Sequence, residues 1–155
     1  MYAISKKSKY ALRALLVLSS KYEQGPMLIA ELAKQERIPR KFLEQILLEL
    51  RNKGILGSKK GKGGGYFLAK SPRTITVGDV IRILDGTLAP VPCVSQSAYR
   101  TCEECEDEAA CGIRAVMHDV RDAAAEILDR ESLANMLQRE ETLKQKQQKV
   151  LVYAI

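Results

Sequence analysis

Residues 59–65 read Lys-Lys-Gly-Lys-Gly-Gly-Gly, and this run limits more than any other feature what the chain can fold into. Four glycines in seven residues stop both helices and strands, because glycine has no side chain to restrict its backbone. Short apolar segments, 55–58 and 66–69, lie on either side of the run. Two such segments around a glycine-rich stretch predict a β-hairpin with a long, flexible, basic tip.

The residues before and directly after this hairpin show the apolar spacing of helices. Ser5 is predicted to cap a helix that runs to about Lys21, and residues 29–36 form a short second helix. A third helix over 40–53 ends at Gly54, and Thr76 is predicted to cap a fourth over 77–85. A short helix, a turn, a helix with a polar face and then a basic hairpin predict a winged helix-turn-helix.

A long helix is predicted from about Cys111, with an apolar stripe of about five turns. The stripe comprises Ile113, Val116, Val120, Ala123, Ala124, Ile127 and Leu128. It is too apolar to remain exposed on a small monomer, so it predicts a homodimer. Ser132 is predicted to cap a further helix, whereas the last residues are ambiguous because a polar stretch ends in a β-prone apolar one. The expected fold class is mainly α with a small β-hairpin wing and a long C-terminal dimerisation helix.

Charge is divided unevenly along the 155 residues, whose net charge is +6. Residues 1–86 hold 17 Lys and Arg against 7 Asp and Glu, and residues 87–155 hold 8 against 12. A basic first part predicts a polyanionic partner for that part. No apolar run approaches the roughly 20 residues of a membrane span, and the start lacks a secretory signal. The lone histidine argues against a hydrolase or a His-based metal enzyme, so we expect a soluble, cytoplasmic protein that is not an enzyme and binds no membrane.

The third helix and the hairpin are the predicted DNA-binding elements, since an α-helix fits the major groove of double-stranded DNA. The side chains predicted to reach base edges are Arg40, Lys41, Glu44 and Gln45. The residues predicted to contact phosphates or to let the backbone approach the duplex are Arg51, Lys59, Lys60, Lys62, Gly63, Gly64 and Tyr66. Two alternatives are an ordinary amphipathic helix with a solvated face and a nucleotide-binding loop. The glycine run matches neither phosphate-binding motif, which argues against the second.

All four cysteines lie between Cys93 and Cys111, with Cys102 and Cys105 between them. In a cytosolic protein such a cluster more often serves metal or redox chemistry than a structural disulfide. Thiolates suit iron–sulfur clusters and zinc, so a cluster, a zinc clip, a thiol switch and four unrelated thiols all remain open. Carboxylates at 103–108 are expected to raise the pKa of the neighbouring thiols. His118 is expected on the helix surface or at a dimer interface.

These motifs together resemble the Rrf-two (Rrf2) family of bacterial winged-helix transcription regulators, which includes IscR-, NsrR- and CymR-type members. The resemblance covers about residues 1–137. It rests on Lys9-Tyr10-Ala11-Leu12, Ile38 with Phe42-Leu43-Glu44-Gln45, Leu50-Arg51-Asn52-Lys53-Gly54, Gly61-Lys62-Gly63-Gly64-Gly65-Tyr66, Thr76-Val77-Gly78-Asp79-Val80 and Cys111-Gly112-Ile113-Arg114. It implies a homodimer in which the long helix crosses its twin, a third helix and wing that read DNA, and a role for Glu44 in sequence choice.

The resemblance also implies a ligand set. Cys93, Cys105 and Cys111 match the three cysteines of cluster-binding members, and a 2Fe–2S cluster needs four ligands. The positions of the family's two known fourth ligands carry Arg114 and Lys9 here, so Cys102 is the candidate for a Cys₄ set. We therefore expect an iron–sulfur cluster, with zinc or no cofactor as the alternatives.

The sequence as a whole predicts three parts. Residues 1–86 form the winged helix-turn-helix, 87–110 a cysteine-containing sensor loop, and 111–155 the dimerisation helix with a C-terminal helix or tail. The predicted function is a dimeric bacterial transcription regulator whose affinity for operator DNA depends on a cluster or on the redox state of the loop. The alternatives are a cluster-free, CymR-like regulator controlled by a partner enzyme or by thiol oxidation, and a metal-dependent redox protein.

Overall fold

A computed structural model describes residues 3–153 and contains six helices and one two-stranded antiparallel hairpin. The elements in chain order are α1 (Lys6–Ser20), α2 (Ile29–Glu36), α3 (Arg40–Asn52), β1 (Leu56–Lys59), β2 (Gly65–Leu68), α4 (Val77–Asp85), a 3-10 turn (Pro92–Val94), α5 (Gly112–Arg130) and α6 (Leu133–Tyr153). The predicted fold class, mainly α with a β-hairpin wing, is confirmed.

The predicted helix starts are confirmed by their capping contacts. The hydroxyl of Ser5 accepts the Ser8 N–H at 3.0 Å, and that of Ser132 accepts the Asn135 N–H at 3.0 Å. Thr76 forms a capping box with Asp79, in which each side chain accepts the other's backbone N–H at 3.0 Å. These side chains satisfy backbone donors that a helix start leaves without partners, which explains why the boundaries lie so near the predicted ones.

The core contains side chains from the first four helices, from the hairpin and from the first turns of α6. Its completely buried side chains include Leu15 of α1, Leu32 of α2, Leu47 of α3 and Leu133 of α6. Tyr10 and Phe42 pack edge to face with ring centroids 5.7 Å apart, and this contact fixes α3 against α1. The third helix therefore has one rigid inner face, and its outer face is left for solvent or a ligand.

The hairpin is anchored to the chain segment that precedes α2. Leu56 lies opposite Leu68 in the antiparallel register, and Lys59 lies opposite Gly65. Beyond the two strands, Met27 and Tyr66 exchange both backbone hydrogen bonds at 2.9 Å. This bridge connects the base of the wing to the helix-turn-helix, so the two predicted DNA-binding elements are held in a fixed relation.

Replacing Gly65 with Ala should lower the free energy of unfolding by about 3 kcal/mol. Gly65 has a φ of +142°, and a Cβ there would lie 2.1 Å from the Met27 carbonyl oxygen, which is backbone and cannot move aside. Gly61→Ala is the control, because Gly61 also has a positive φ but no atom within 4 Å of a Cβ, so its cost should be about 1 kcal/mol. Urea unfolding of both variants measures the difference, and equal costs would contradict it.

Helix α6 resolves the ambiguous C-terminal stretch, because it continues as one helix to Tyr153. The glutamines, lysines and leucine of the stretch are good helix formers, and they outweigh the β-prone valines that follow. Residues 141–152 are all exposed. Ala154 and Ile155, the end of the predicted tail, lie outside the described residues.

The C-terminal end of helix α5 is attached to α4. Arg82 donates two hydrogen bonds to the carboxylate of Asp129, at 2.6 and 2.8 Å. The pair fits because Gly78 has no side chain, since a Cβ there would lie 2.0 Å from the Asp129 Oδ1 atom. No residue of α5 is buried, and four residues of its predicted apolar stripe, Ile113, Val116, Val120 and Ile127, face outward and are between 41% and 71% exposed. Leu128, which was predicted in the same stripe, instead packs against the cluster of Val77, Ile81 and Leu88. Within residues 3–153, the length and apolarity needed to span a bilayer are not combined in any helix.

Candidate nucleic-acid interface and cysteine site

The exposed face of α3 carries the predicted base-reading side chains. Leu43, Ile46, Leu47 and Leu50 are buried on the opposite face, and this amphipathic spacing turns the polar residues outward. All of the residues predicted on the helix, Arg40, Lys41, Glu44, Gln45 and Arg51, are exposed. The structure thus brings them to one surface of the winged helix-turn-helix.

Two of these residues form an ion pair along the helix. The Nε atom of Arg40 lies 3.1 Å from the Oε1 atom of Glu44, one turn away. Both side chains are largely exposed, so the pair contributes little to stability. It does hold the guanidinium of Arg40 beside Glu44, and a change at either residue will therefore alter the position of the other.

The wing lysines continue the basic surface beyond α3. Lys59, Lys60 and Lys62 are exposed and form no ion pair with any carboxylate of residues 3–153. Arg51 at the end of α3 donates a hydrogen bond from Nη1 to the Ser58 hydroxyl at 3.2 Å, which connects the helix to β1. Unpaired cations on a rigid support can contact a phosphate backbone without first breaking an internal ion pair.

The other predicted wing residues have structural roles. Gly63 lies at the tip with a φ of +73°, whereas Gly64 is buried against the Lys59 carbonyl oxygen, 2.2 Å from where its Cβ would be. Tyr66 is half-buried against the core. For Gly64 the hairpin itself requires the missing side chain, which differs from our expectation that glycine is needed there for a close approach of DNA.

One exposed side chain of α3 was missed in the sequence. Leu48 is 44% exposed, although it is the kind of residue that helices bury. It lies one turn after Glu44 and in the middle of the polar face. The signal was present, because the apolar spacing of α3 accounts for its neighbours without Leu48.

The four cysteines line a single cavity of about 570 Å³ between the loop and the start of α5. Cys93, in the 3-10 turn, is buried, and Cys102, Cys105 and Cys111 are half-buried. Arg114 lines the same cavity. The chain thus brings thiols that are up to 18 positions apart to the wall of one cavity.

Glu108 organises the loop around this cavity. Its carboxylate accepts the Cys102 N–H at 2.9 Å and the Tyr99 hydroxyl at 2.7 Å, and Arg114 Nε lies 3.8 Å away. The hydrogen bonds from Cys102 and then Tyr99 lower the pKa of Glu108. In the sequence Glu108 is one of five carboxylates at 103–108, and nothing distinguishes it from the other four.

Cys105 and Cys111 line the same cavity, and their pKa values move in opposite directions. The neighbouring Cys111 thiol raises the pKa of Cys105, whose own Sγ donates to the Asp107 carbonyl oxygen at 3.6 Å. The pKa of Cys111 is lowered first by the Arg114 N–H, which donates to its Sγ at 3.4 Å because Cys111 caps α5. The direction for Cys105 agrees with the sequence-based expectation, but its main cause is the neighbouring thiol and not the acidic run.

The four thiols are the right kind of donor for a metal site, but their positions are not those of a formed site. Four sulfur atoms around one cavity are the donors that iron–sulfur clusters and zinc prefer. In the described part of the chain, however, no three Cys, His, Asp or Glu side chains are grouped closely enough to hold a metal ion. His118 lies outside the cavity lining, with Nε2 2.9 Å from Arg121 and Nδ1 3.3 Å from Asp122.

Two arginines of α5 hold the 3-10 turn that contains Cys93. Arg114 donates from Nε to the Cys93 carbonyl oxygen at 3.3 Å, and Arg121 donates from Nη1 to the Val94 carbonyl oxygen at 2.6 Å. Sequence reasoning missed both contacts. The available signal was their seven-residue spacing, which puts two cations on the same side of a helix in the acidic part of the chain.

A family model for Rrf2, described as iron-dependent transcriptional regulator, matches residues 4–139. An rrf2-like HTH-type transcriptional regulator of Rhodobacter capsulatus is 42% identical over 137 residues, covering 86% of this chain and 91% of the relative. The fold is also similar to those of related solved structures. That of CymR, the global cysteine regulator of B. subtilis, has a TM-score of 0.75 and 33% identity over 90% of this chain and 98% of its own. That of T. potens IscR has a TM-score of 0.71 and 28% identity over 91% and 90%.

Proposed function

The chain belongs to the Rrf2 family of transcriptional regulators, and from this premise we propose that it binds operator DNA as a homodimer whose affinity follows the state of the cysteine cavity. The family's members are regulators and not enzymes, and this chain is of the IscR and CymR type. The observation that carries the proposal is the continuous exposed surface of α3 and the wing, whose lysines lack internal partners.

In the proposed complex, α3 lies in the major groove. Arg40 contacts guanine, Gln45 contacts adenine, and Glu44 accepts from cytosine or positions Arg40 through their ion pair. Leu48 lies between them, and an exposed leucine there suits the methyl group of thymine. Lys41 reaches a base edge beside Arg40, and Arg51, Lys59, Lys60 and Lys62 contact phosphates, which give affinity without sequence preference.

The proposed homodimer is held by the stripe of α5. Four large apolar side chains on one helix face, all exposed in the single chain, are the composition expected of a covered surface. A twofold dimer would present two copies of α3, and dimeric helix-turn-helix proteins bind half-sites one or more helical turns apart. Any change in the angle between the two α5 helices would then change the distance between the two α3 helices.

The proposed sensor is the cysteine cavity. Cys93, Cys105 and Cys111, with Cys102 as the fourth, would hold an iron–sulfur cluster, which supplies a redox-sensitive group attached through thiolates. Arg114 and Arg121 connect the backbone around Cys93 to α5. A shift of the 3-10 turn would therefore be passed to the proposed dimer helix through two hydrogen bonds.

A second candidate, a cluster-free thiol switch, is favoured by one observation. Cys105 and Cys111 line the same cavity, so an oxidant such as a peroxide reaches both sulfur atoms there. Anaerobic purification followed by iron, sulfide and zinc determination distinguishes the two candidates. Metal-free protein that forms a Cys105–Cys111 disulfide under peroxide would favour the switch.

Substitutions on the two parts of the DNA surface should have different effects. Lys60→Ala should flatten the slope of log K against log salt by about 0.9 and leave the preferred sequence unchanged, because it removes one phosphate contact. Arg40→Ala should relax base preference at one position at a cost of about 1–3 kcal/mol. Operator titrations at several salt concentrations, followed by sequence selection, measure both. The reverse pattern would contradict the assignment of roles, and a protein that prefers no sequence would contradict operator binding.

A further inference from the structure

The second half of α6 is a helix without any protein surface against it. Residues 141–152, which we call the α6 extension, are all exposed, and they lie beyond residue 139, where the family match ends. A helix of this length would be marginally stable alone in water. Leu143, Val150, Leu151 and Val152 are between 59% and 72% exposed.

Leu143, Val150 and Leu151 of the extension continue the face of α6 that packs on the core, whereas Val152 lies on the opposite side by helical spacing. Leu133 is buried and Met136 packs against the core, and Leu143 and Val150 follow them at multiples of seven residues from Met136. Leu151 lies next to Val150 on this face. By helical spacing, Lys144 and Lys146 lie on the two sides of the face. The same seam is therefore covered in the first turns of α6 and uncovered in the extension.

Within one chain, α5 cannot cover this seam. Helix α6 packs against α1, and α5 packs against α4 and the 3-10 turn, so the two long helices do not run along each other. Yet α5 and the extension carry eight of the twelve large hydrophobic side chains that the described residues expose. Each of the two surfaces thus lacks a partner among residues 3–153 of its own chain.

The two surfaces match in length and in charge. The extension is about 18 Å long, and the stripe from Ile113 to Ile127 is about 21 Å long. The extension contains three lysines and one carboxylate, Glu141, and Lys144 has an exposed ion pair with Glu140 at 3.0 Å. Asp119 and Glu126 are exposed along one edge of the stripe. Glu126 has only a 3.9 Å contact with Arg130, an exposed pair that a closer lysine can replace.

We infer that in the homodimer the α6 extension of one copy lies along the edge of the α5 stripe of the other. The inference rests on the proposed homodimer and adds a second contact to it. Two crossing helices touch over only a few turns, so an α5 pair alone would leave the ends of a five-turn stripe uncovered. A twofold dimer forms the extension contact twice, once from each copy.

Full-length variants test the contact by sedimentation equilibrium. Leu143→Asp combined with Val150→Asp places two charges on the seam and should raise the dimer dissociation constant at least about tenfold. Gln145→Asp combined with Gln148→Asp, on the opposite face, adds the same charges and should change it less than about threefold. Circular dichroism of each variant establishes that α6 is retained. A dimer equally stable in both variants would overturn the inference while leaving the dimer intact, whereas monomeric wild-type protein would contradict the proposed dimer itself.

Cross-linking identifies the surface that covers the extension. Protein with p-benzoylphenylalanine at position 143 is mixed with nitrogen-15 protein, irradiated and digested. We expect cross-links from the light extension to heavy α5 peptides within 115–130. Cross-links within one chain, to the partner's extension or to its winged helix-turn-helix, or none at all from dimeric protein, would overturn the inference.

Discussion

Val116→Asp should convert the proposed homodimer to a monomer and lower operator affinity at least about a thousandfold, toward the level of nonspecific binding. Val116 is on the proposed dimer stripe of α5 and is 57% exposed in the single chain. A carboxylate there would be buried without a partner in the dimer but would remain solvated in the monomer. The substitution should therefore leave the fold of the single chain unchanged. Sedimentation and operator titration measure the two effects.

Ala115→Asp is the matched control for this substitution. Ala115 is also exposed on α5, but its direction along the helix turns it away from the stripe. The same added charge should leave both the dimer and operator affinity within about threefold of wild type. A Val116→Asp protein that remains dimeric at micromolar concentration would show that the stripe is not the dimer interface.

Single serine substitutions at Cys93, Cys105 or Cys111 should each abolish the visible absorption of anaerobically reconstituted protein. Each removes one of the three thiolates that the family resemblance assigns to a cluster, and a missing thiolate leaves an iron exposed to water. All three residues line the same cavity, so no substitution acts from a distance. Absorption spectra with iron and sulfide determinations provide the measurement.

Cys102→Ser distinguishes the possible ligand sets. Loss of absorption in this variant would establish a Cys₄ site, whereas an unchanged spectrum would place the fourth ligand elsewhere. Ser95→Ala is a control for damage to the loop, because Ser95 is buried beside the 3-10 turn and is no candidate ligand. Wild-type protein that binds neither iron nor zinc under these conditions would reject the metal site and leave the thiol switch.

The helices and the wing could be predicted because their signals are local. Caps at Ser5, Thr76 and Ser132, the stop at Gly54 and the glycine-rich hairpin tip each depend on residues a few positions apart. Elements set by neighbouring residues leave a pattern in the sequence. The exposed polar face of α3 could be predicted for the same reason, since its inner leucines recur at helical spacing.

The cysteine loop could not be predicted beyond its spacing, because its contacts join residues that have no regular relation in sequence. Glu108 resembles four neighbouring carboxylates in the sequence, yet it is the one that binds Cys102 and Tyr99. Arg114 and Arg121 contact backbone carbonyl groups, which every residue has, so the sequence contains no sign of their partners. The length of α6 was missed because moderate helix propensity and β-prone valines gave opposing indications.

Cys111 has two roles, because it lines the thiol cavity and also caps the start of α5. Most switches need intermediate residues between the atom that changes and the element that moves, and mutations in those residues can disconnect the two. Here the Cys111 sulfur atom itself accepts a hydrogen bond from the Arg114 N–H in the first turn of α5. The change at the sulfur therefore reaches the helix without an intermediate residue. Ligation, oxidation or alkylation of that sulfur would each change the charge of the acceptor in the same Arg114 N–H contact. Related regulators could therefore exchange one cysteine chemistry for another during evolution and keep the same output helix.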